Sequence, residues 1–544
     1  MVKEWTDRRV ATTGVSGCSV SYERSQASLG CKLGFLGWLF IVLMAAATIY
    51  QIACPPIVGL NDNADFWRIM KSYGLSYPQD YKPDLVSFSR YYNWDGQLLR
   101  AKMFPSTELL PTGLAVAVSS VMSRDRRFDI VTLGIIQALF LLGGMVMVTL
   151  ATTSWKTIQR AAFYLLLLFV FADVGYVSYF NSLYTESATL IFLVASLGIL
   201  ASILLRENTD RDLRWLMFSF FVATGLFVFA KVQNAPLGLV LAVFGYHVSR
   251  RIQSQDKGLR TRLRKQGKVL ALTLALLSGL FWWGFKYVPG MHVNNVYNMV
   301  FNEIAQHSRN PVQDLGELGL DKSYMKYYGT FAWSPQVNED LRRDVFKKVG
   351  DRRVVAFFVR HPARLWDLTQ RCAKSTFVMR VPYLGNFEKS RIAHVRYDGA
   401  KLDHDVREYD NRGSDYPYRL PDAFRSQTFA YWSSFKEDHV PKAWWFLGIC
   451  LIGNLAVIGT KRRWFDVSWQ NRLITDAHLC LVACAVLQYG VAIIGEAERD
   501  IVKHLFLFNL LSDVCFIFIA AYAGAVLSGC RPVGFARKNA CVVE

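Results

Sequence analysis

Apolar blocks of roughly 18–25 residues recur along most of this chain, each about the length that crosses the hydrocarbon core of a bilayer. In lipid every backbone N–H and C=O must be bonded within the protein, so each block predicts a helix. The blocks are 33–53, 129–151, 161–180, 186–205, 214–230, 235–248, 267–288, 441–460, 474–494 and 503–528. Hydrophobic residues make up 52% of the 544 and charged residues only 19%. That balance excludes a soluble enzyme, a fibrous protein and a disordered chain. The expected fold is an all-α polytopic membrane protein with about ten spans.

Charge sets the expected topology. Arg250, Arg251, Lys257, Arg260, Arg262, Arg264, Lys265 and Lys268 crowd 249–268 against one acid, Asp256, which marks a cytoplasmic loop. Lys461–Arg463, the tail with Arg531, Arg537 and Lys538, and the first 32 residues carry the same signal. Counting crossings from these loops puts both termini in the cytoplasm. Segments 54–106 and 289–440 then share the outer face. A weaker apolar stretch, 107–123, holds Glu108, Pro111 and several Ser and Thr, and parity makes it an interfacial or re-entrant helix. The model leaves Arg124, Arg126 and Arg127 outside, against the charge rule. The net charge of +19 needs no nucleic acid, because much of it faces anionic lipid.

The chain divides accordingly. Residues 1–32 read as a disordered cytoplasmic N-terminus, 33–288 as a membrane module, 289–440 as a globular outer segment of mainly helical or mixed structure, 441–528 as the last spans and 529–544 as a cytoplasmic tail. Of ten cysteines only Cys54 and Cys372 fall outside, which allows one disulfide and no disulfide scaffold. Cys480 and Cys484 share a helix face, where packing is the simpler reading.

Polar residues beside apolar spans are costly in lipid and so point to function. Four clusters fall on the outer face in this topology. Asn61-Asp62-Asn63-Ala64-Asp65 follows the first span. Asp173, Tyr176, Tyr179, Asn181, Ser182, Tyr184 and Glu186 end the third. Lys231, Gln233 and Asn234 separate two apolar runs. Glu496, Glu498, Arg499, Asp500, Lys503 and His504 make the last outer turn. Each has a plainer reading: Asp62 and Asp65 as a helix cap and first turn, Asp173 as satisfied backbone, Lys231 as a snorkelling lysine, 496–504 as a solvated turn. Together they offer a carboxylate base and cations for an anionic leaving group. In 289–440 the stretches 294–298, 327–328 and 383–389 set aromatic residues beside amides or charges, which suits sugar faces and hydroxyls.

These features resemble the GT-C superfamily of integral-membrane glycosyltransferases, whose first outer loop carries an acidic motif and an amphipathic helix. The runs 171–186, 231–236, 386–390 and 499–504 look like bacterial surface-glycan hexosyltransferases of that class. The acidic signature here is Asn61-Asp62-Asn63-Ala64-Asp65 and not an adjacent acidic pair, so the choice between Asp62 and Asp65 as base stays open. The resemblance implies a hexose donor on a polyprenyl phosphate, an acceptor that is a surface glycan, glycolipid or protein, and typically inverting transfer in a bacterial inner membrane with a periplasmic site. Asp62, then Asp65, would be catalytic. Lys231, Arg499, Lys503 and His504 would hold the donor phosphate. Asp173, Tyr184, Glu186, Gln233, Asn234 and Glu496 would bind sugar or acceptor or support the base. Asp62, Asp65 and Glu496 could ligate Mg2+ or Mn2+, although nothing in the sequence demands a metal.

Two other classes compete. A flippase of lipid-linked glycan would show repeats and polar residues near the bilayer midplane. A glycan polymerase or ligase of another membrane fold would rely on outer-loop arginines.

Overall fold

The computed structural model describes residues 29–54, 57–63, 65–78, 89–97, 103–122, 125–206, 208–252, 256–285, 291–381, 384, 429–464, 469–496 and 500–527. The expectations for 1–28, 385–428, Glu498, Arg499 and the tail from 528 lie outside these residues.

The first half runs α1 (Leu29–Ala53), α2 (Trp67–Tyr73), β1 (Leu75–Ser76), β2 (Tyr91–Trp94), α3 (Leu109–Met122), β3 (Arg127–Asp129), α4 (Ile130–Ala151), α5 (Thr157–Phe171), α6 (Val174–Val177), α7 (Glu186–Leu205), α8 (Asp210–Val228), α9 (Ala235–Arg251) and α10 (Lys257–Gly284). The second half runs α11 (Met291–Asn298), a π-helical stretch (Met299–Ala305), α12 (Pro311–Glu317), α13 (Glu339–Lys348), α14 (Gly350–Arg360), α15 (Pro362–Ala373), α16 (Tyr431–His439), α17 (Trp444–Trp464), α18 (Trp469–Glu496), α19 (Ile501–His504) and α20 (Phe506–Leu527).

Among the described residues seven helices are long and apolar enough to cross a membrane: α1, α4, α7, α10, α17, α18 and α20. An eighth candidate is the pair formed by α5 and 174–181, bent by 50° at Ala172–Asp173. The count of ten read from the sequence is not reached. α8 opens on Asp210, Arg211, Asp212 and Arg214, and α9 has only 17 residues and ends on Arg250 and Arg251. Both still pack against α10, and α9 packs against α18.

The helices run back and forth, and their connections collect at two ends. At one end Asn181 donates to the carbonyls of Ile52 (2.9 Å) and Val58 (2.7 Å), and Thr107 N–H to Phe229 (3.0 Å). Asn61 N–H donates to Leu384 at the same end (2.9 Å). At the other end Arg160 donates to the Leu33 carbonyl (2.9 Å), His247 meets Asp476 (3.0 Å), and Arg462 reaches the same carboxylate (2.6 Å). The basic loop 249–268 belongs to this second end, where Ser249 lies against Gly267.

Capping explains several boundaries. Asp129 accepts the N–H of Val131 at the start of α4 and is itself gripped by Arg90. Thr209 and Asp212 form a reciprocal capping box on α8. Where α4 and α7 cross, a Cβ on Gly198 would lie 2.7 Å from the Gly144 carbonyl. Glycine is required there for the two backbones to approach, as in many membrane helix pairs.

The expected interfacial helix is α3. It has 14 residues, or about 21 Å at 1.5 Å per residue, short of a roughly 30 Å core. Its first carbonyl accepts from Tyr73, and Arg126 just beyond it bonds Trp94. Both ends of α3 therefore lie beside the same small loop domain. The Glu108 carboxylate at its start is buried and accepts from Thr112 (3.1 Å), Gln137 (2.7 Å) and Ser187 (2.9 Å).

That loop domain departs from the all-α expectation. β1, β2 and β3 form an antiparallel sheet in that order, with Tyr92 opposite Phe128 and Leu75 opposite Trp94. Strands of two to four residues carry too little alternation to be read from sequence. Cys54 and Cys372 are both free thiols, so the disulfide that the sequence allowed does not form.

The segment expected to be globular is helical where described. α11, α13, α14 and α15 and the π-helical stretch enclose Val300, Phe301, Ile304, Val345, Phe357 and Leu368. One ionic contact fastens it to the membrane helices. Lys436 of α16 pairs with Asp513 of α20 (2.7 Å), both side chains 3% exposed. Tyr176 (2.6 Å) and Trp432 (2.9 Å) donate to the same carboxylate. Arg380 and Glu437 form a second buried pair in the same region.

Candidate functional site

Loop 57–66 leaves α1 and turns back into α2. Within it the Asp62 Oδ1 accepts the N–H of Phe66, the residue that precedes α2 (2.9 Å). Its Oδ2 accepts from the hydroxyl of Tyr77, brought alongside by the β1 turn. Asp62 is 8% exposed and has no ion pair among the described residues. Burial pushes its carboxyl above the ordinary value, while the bonds from Phe66 and Tyr77 pull it down and Asp65 adds upward pressure.

Asp65, one turn on, is differently placed. It pairs with Arg68 (2.8 Å) and with Lys503 of α19. Burial would raise its carboxyl, but the two cations hold it well below the usual carboxylate range. Lys503 is the hub of the site. Its Nζ also reaches the Asn63 side-chain oxygen (3.3 Å) and lies 4.2 Å from the ring centre of Tyr184. Burial alone would lower the lysine, but Asp65, Asp500 and Glu186 outweigh it and it stays charged.

Tyr184 closes the loop from the other side. Its hydroxyl donates to the Asn61 carbonyl (2.7 Å) and lies 3.0 Å from the Asn63 side-chain oxygen, and it accepts the Asn63 N–H (3.1 Å). Glu186, the first residue of α7, pairs with Lys231 at the α8–α9 junction (2.8 Å). Gln233 donates to the His504 carbonyl (3.2 Å), and its side-chain oxygen lies 3.4 Å from His504 Nδ1. His504 lies 3.8 Å from Asp500. Burial, Lys231 and Lys503 hold the imidazole well below its ordinary value, so it is neutral and acts through hydrogen bonds. Burial pushes Asp500 up to about 7, against Lys503 and with Asp65.

All four sequence clusters thus send residues to one place: Asp62, Asn63 and Asp65; Tyr184 and Glu186; Lys231 and Gln233; Lys503 and His504. Asp173 and Asn234 do different work. Asp173 caps α6, accepting from Gly175 (2.7 Å) and from Ser433 of α16 (2.9 Å), which ties the bend to the second-half segment. Asn234 bonds Thr189 and the Phe227 carbonyl and shapes the α8–α9 turn. Glu496 ends α18, its side chain outside the described set, as is Arg499. Two contributors were not singled out from sequence: Arg68, which follows its motif by three residues, the spacing of a helical ion pair, and Tyr77, which gave no local signal. Asp500 was named in the last outer turn but given no role.

Among the described residues no group of three His, Cys, Asp or Glu is placed to hold a metal ion. Asp65 already faces two cations, and Asp62 accepts two hydrogen bonds. Among the described residues the donor set for Mg2+ or Mn2+ is therefore not assembled; the side chain of Glu496, the third expected ligand, lies outside them.

The arrangement defines a polytopic helical membrane protein with one charged site at one end of its bundle, built from widely separated segments. The chain belongs to the family described as the YfdI N-terminal transmembrane domain, whose model matches residues 26–401 and 416–530. No curated protein and no solved structure matches it.

Proposed function

We propose that this protein is a GT-C-type membrane glycosyltransferase that moves a hexose from a polyprenyl-phosphate donor to a surface glycan, glycolipid or protein. The observation that carries the reading is the contrast between its two aspartates. Asp62 has no ion pair among the described residues, is buried and has a raised carboxyl, while Asp65 is committed to Lys503 and Arg68. A general base works best when its pKa approaches the working pH. Asp62 is therefore the base and Asp65 the residue that positions Lys503.

Asp62 takes the proton of an acceptor hydroxyl as its oxygen attacks the anomeric carbon. The bond from that carbon to the phosphate oxygen breaks, and the lipid phosphate leaves with the electron pair. Attack from the face opposite the phosphate inverts the anomeric centre. Lys503, Lys231 and Arg68 are the cations within reach of the leaving phosphate, and neutral His504 is a hydrogen-bond donor to it. Arg499 would join them. The site end is the periplasmic face of the inner membrane in this reading, with both chain termini in the cytoplasm and the basic loops facing anionic lipid.

The test is transfer by the purified protein in nanodiscs, given a panel of polyprenyl-phosphate hexoses and envelope glycolipids, with product read by mass. A hexose increment that is lost in Asp62→Asn supports the reading. Wild-type transfer retained in the Asp62→Asn/Asp65→Asn double variant would remove the carboxylate mechanism.

A further inference from the structure

The hydroxyl of Tyr179 is buried and has no hydrogen-bond partner among the described residues. The whole residue is 1% exposed. Its ring is clamped between Phe506 (centroids 4.6 Å apart) and Tyr184 (6.3 Å), and its carbonyl is held by Ser182 (2.6 Å). The side chain therefore has little freedom to seek a partner elsewhere. A desolvated hydroxyl without a partner costs about 1–3 kcal/mol, and phenylalanine would fill the same space without that cost.

Among the described residues the carboxylates of Glu186 and Asp500 are near enough for their charge to act on this hydroxyl. Glu186 uses one oxygen on Lys231. Asp500 sits at φ 51°, a left-handed conformation that costs a non-glycine residue about 1–2 kcal/mol. A phenolic donor, two carboxylate acceptors and the flanking rings of Tyr184 and Phe506 suit one ligand class. A pyranose hydroxyl can accept from a phenol and donate to a carboxylate at once, while its ring lies against an aromatic face. A free cation suits the spot less well, because Lys231 and Lys503 already face these carboxylates.

We infer that Tyr179 contacts a hydroxyl of the donor sugar, with Glu186 or Asp500 accepting from that hydroxyl or its neighbour, and so sets which hexose epimer is used. The inference rests on the glycosyltransferase reading. It adds the prediction that selectivity resides at the 178–186 turn and the start of α19, apart from the base.

The experiment compares wild type with Tyr179→Phe in two readouts. One is kcat and KM for polyprenyl-phosphate glucose, galactose and mannose. The other is equilibrium binding of the same three lipids by native mass spectrometry in nanodiscs. Loss of one neutral hydrogen bond predicts about a tenfold fall in kcat/KM for the preferred epimer and a matching loss of discrimination, with thermal stability unchanged or raised. Equal discrimination in the two proteins would overturn the inference and show the hydroxyl to serve a bound water only, while wild-type transfer would leave the transferase reading intact. Epimer-selective binding that is lost in the variant, without transfer by wild type, would uphold the sugar contact and overturn the transferase. Neither binding nor transfer would overturn both.

Discussion

Lys503 and Asp65, 438 residues apart in the chain, form an ion pair that joins the loop after the first span to the turn before the last. The lysine side chain is 3% exposed and the aspartate 27%. The pair links the carboxylate-bearing loop to the cation-bearing turn, so its loss should be felt both in stability and at the site.

Lys503→Met should therefore destabilise the protein by about 2 kcal/mol, because Asp65 loses one of its two cations and keeps only Arg68. Thermal unfolding in detergent measures it. The Asp65→Asn/Lys503→Met double variant should recover part of the loss. A double variant as unstable as the sum of the singles would show that the two residues do not act as a pair.

Tyr77→Phe removes a hydrogen bond that favours the charged form of Asp62. The Asp62 carboxyl then rises further, so the acid limb of the transfer rate should move to higher pH. At alkaline pH the rate should stay near wild type. Asp62→Asn should lower kcat about 10²–10⁴-fold at every pH. An acid limb unmoved in Tyr77→Phe would assign that limb to another group.

Asp500 has its folded pKa raised to about 7 from an ordinary 3.8. A raised carboxyl binds its proton more tightly in the folded state. Its contribution to stability is therefore present below about pH 4 and is lost as pH rises through about 7. Asp500→Asn keeps a side chain that tolerates left-handed φ. It should flatten the fall in stability between pH 4 and 7 and gain up to about 4 kcal/mol at pH 8. A thermal-melt series across this range decides it, and a slope unchanged in the variant would count against the assignment.

Lys436→Met should cost about 3–5 kcal/mol, since it strands the Asp513 carboxylate inside the protein with only Tyr176 and Trp432 to bond it. Limited proteolysis should then cut the α16 region faster while the other helices stay protected.

Much of this architecture was legible in the residues themselves. Apolar length marks α1, α4, α7, α10, α17, α18 and α20, because crossing lipid demands it locally, one helix at a time. The excess charge of 249–268 and 461–463 collects at the end away from the site. Polar residues beside apolar runs likewise flagged Asp62, Asp65, Glu186, Lys231, Lys503 and His504, since burying them without a purpose is costly.

Only the tertiary structure separated Asp62 from Asp65. The two differ by three positions and share a turn, and their difference comes from Tyr77, Arg68 and Lys503. It likewise moved Asp173 from the expected site to the cap of α6, where Ser433 holds it, and left the Tyr179 hydroxyl buried without a partner among the described residues. Membrane insertion is a property of each segment's own composition, so sequence alone determines it. The ionisation and pairing of a buried group depend on which distant segments pack around it, and that is settled only when the chain has folded.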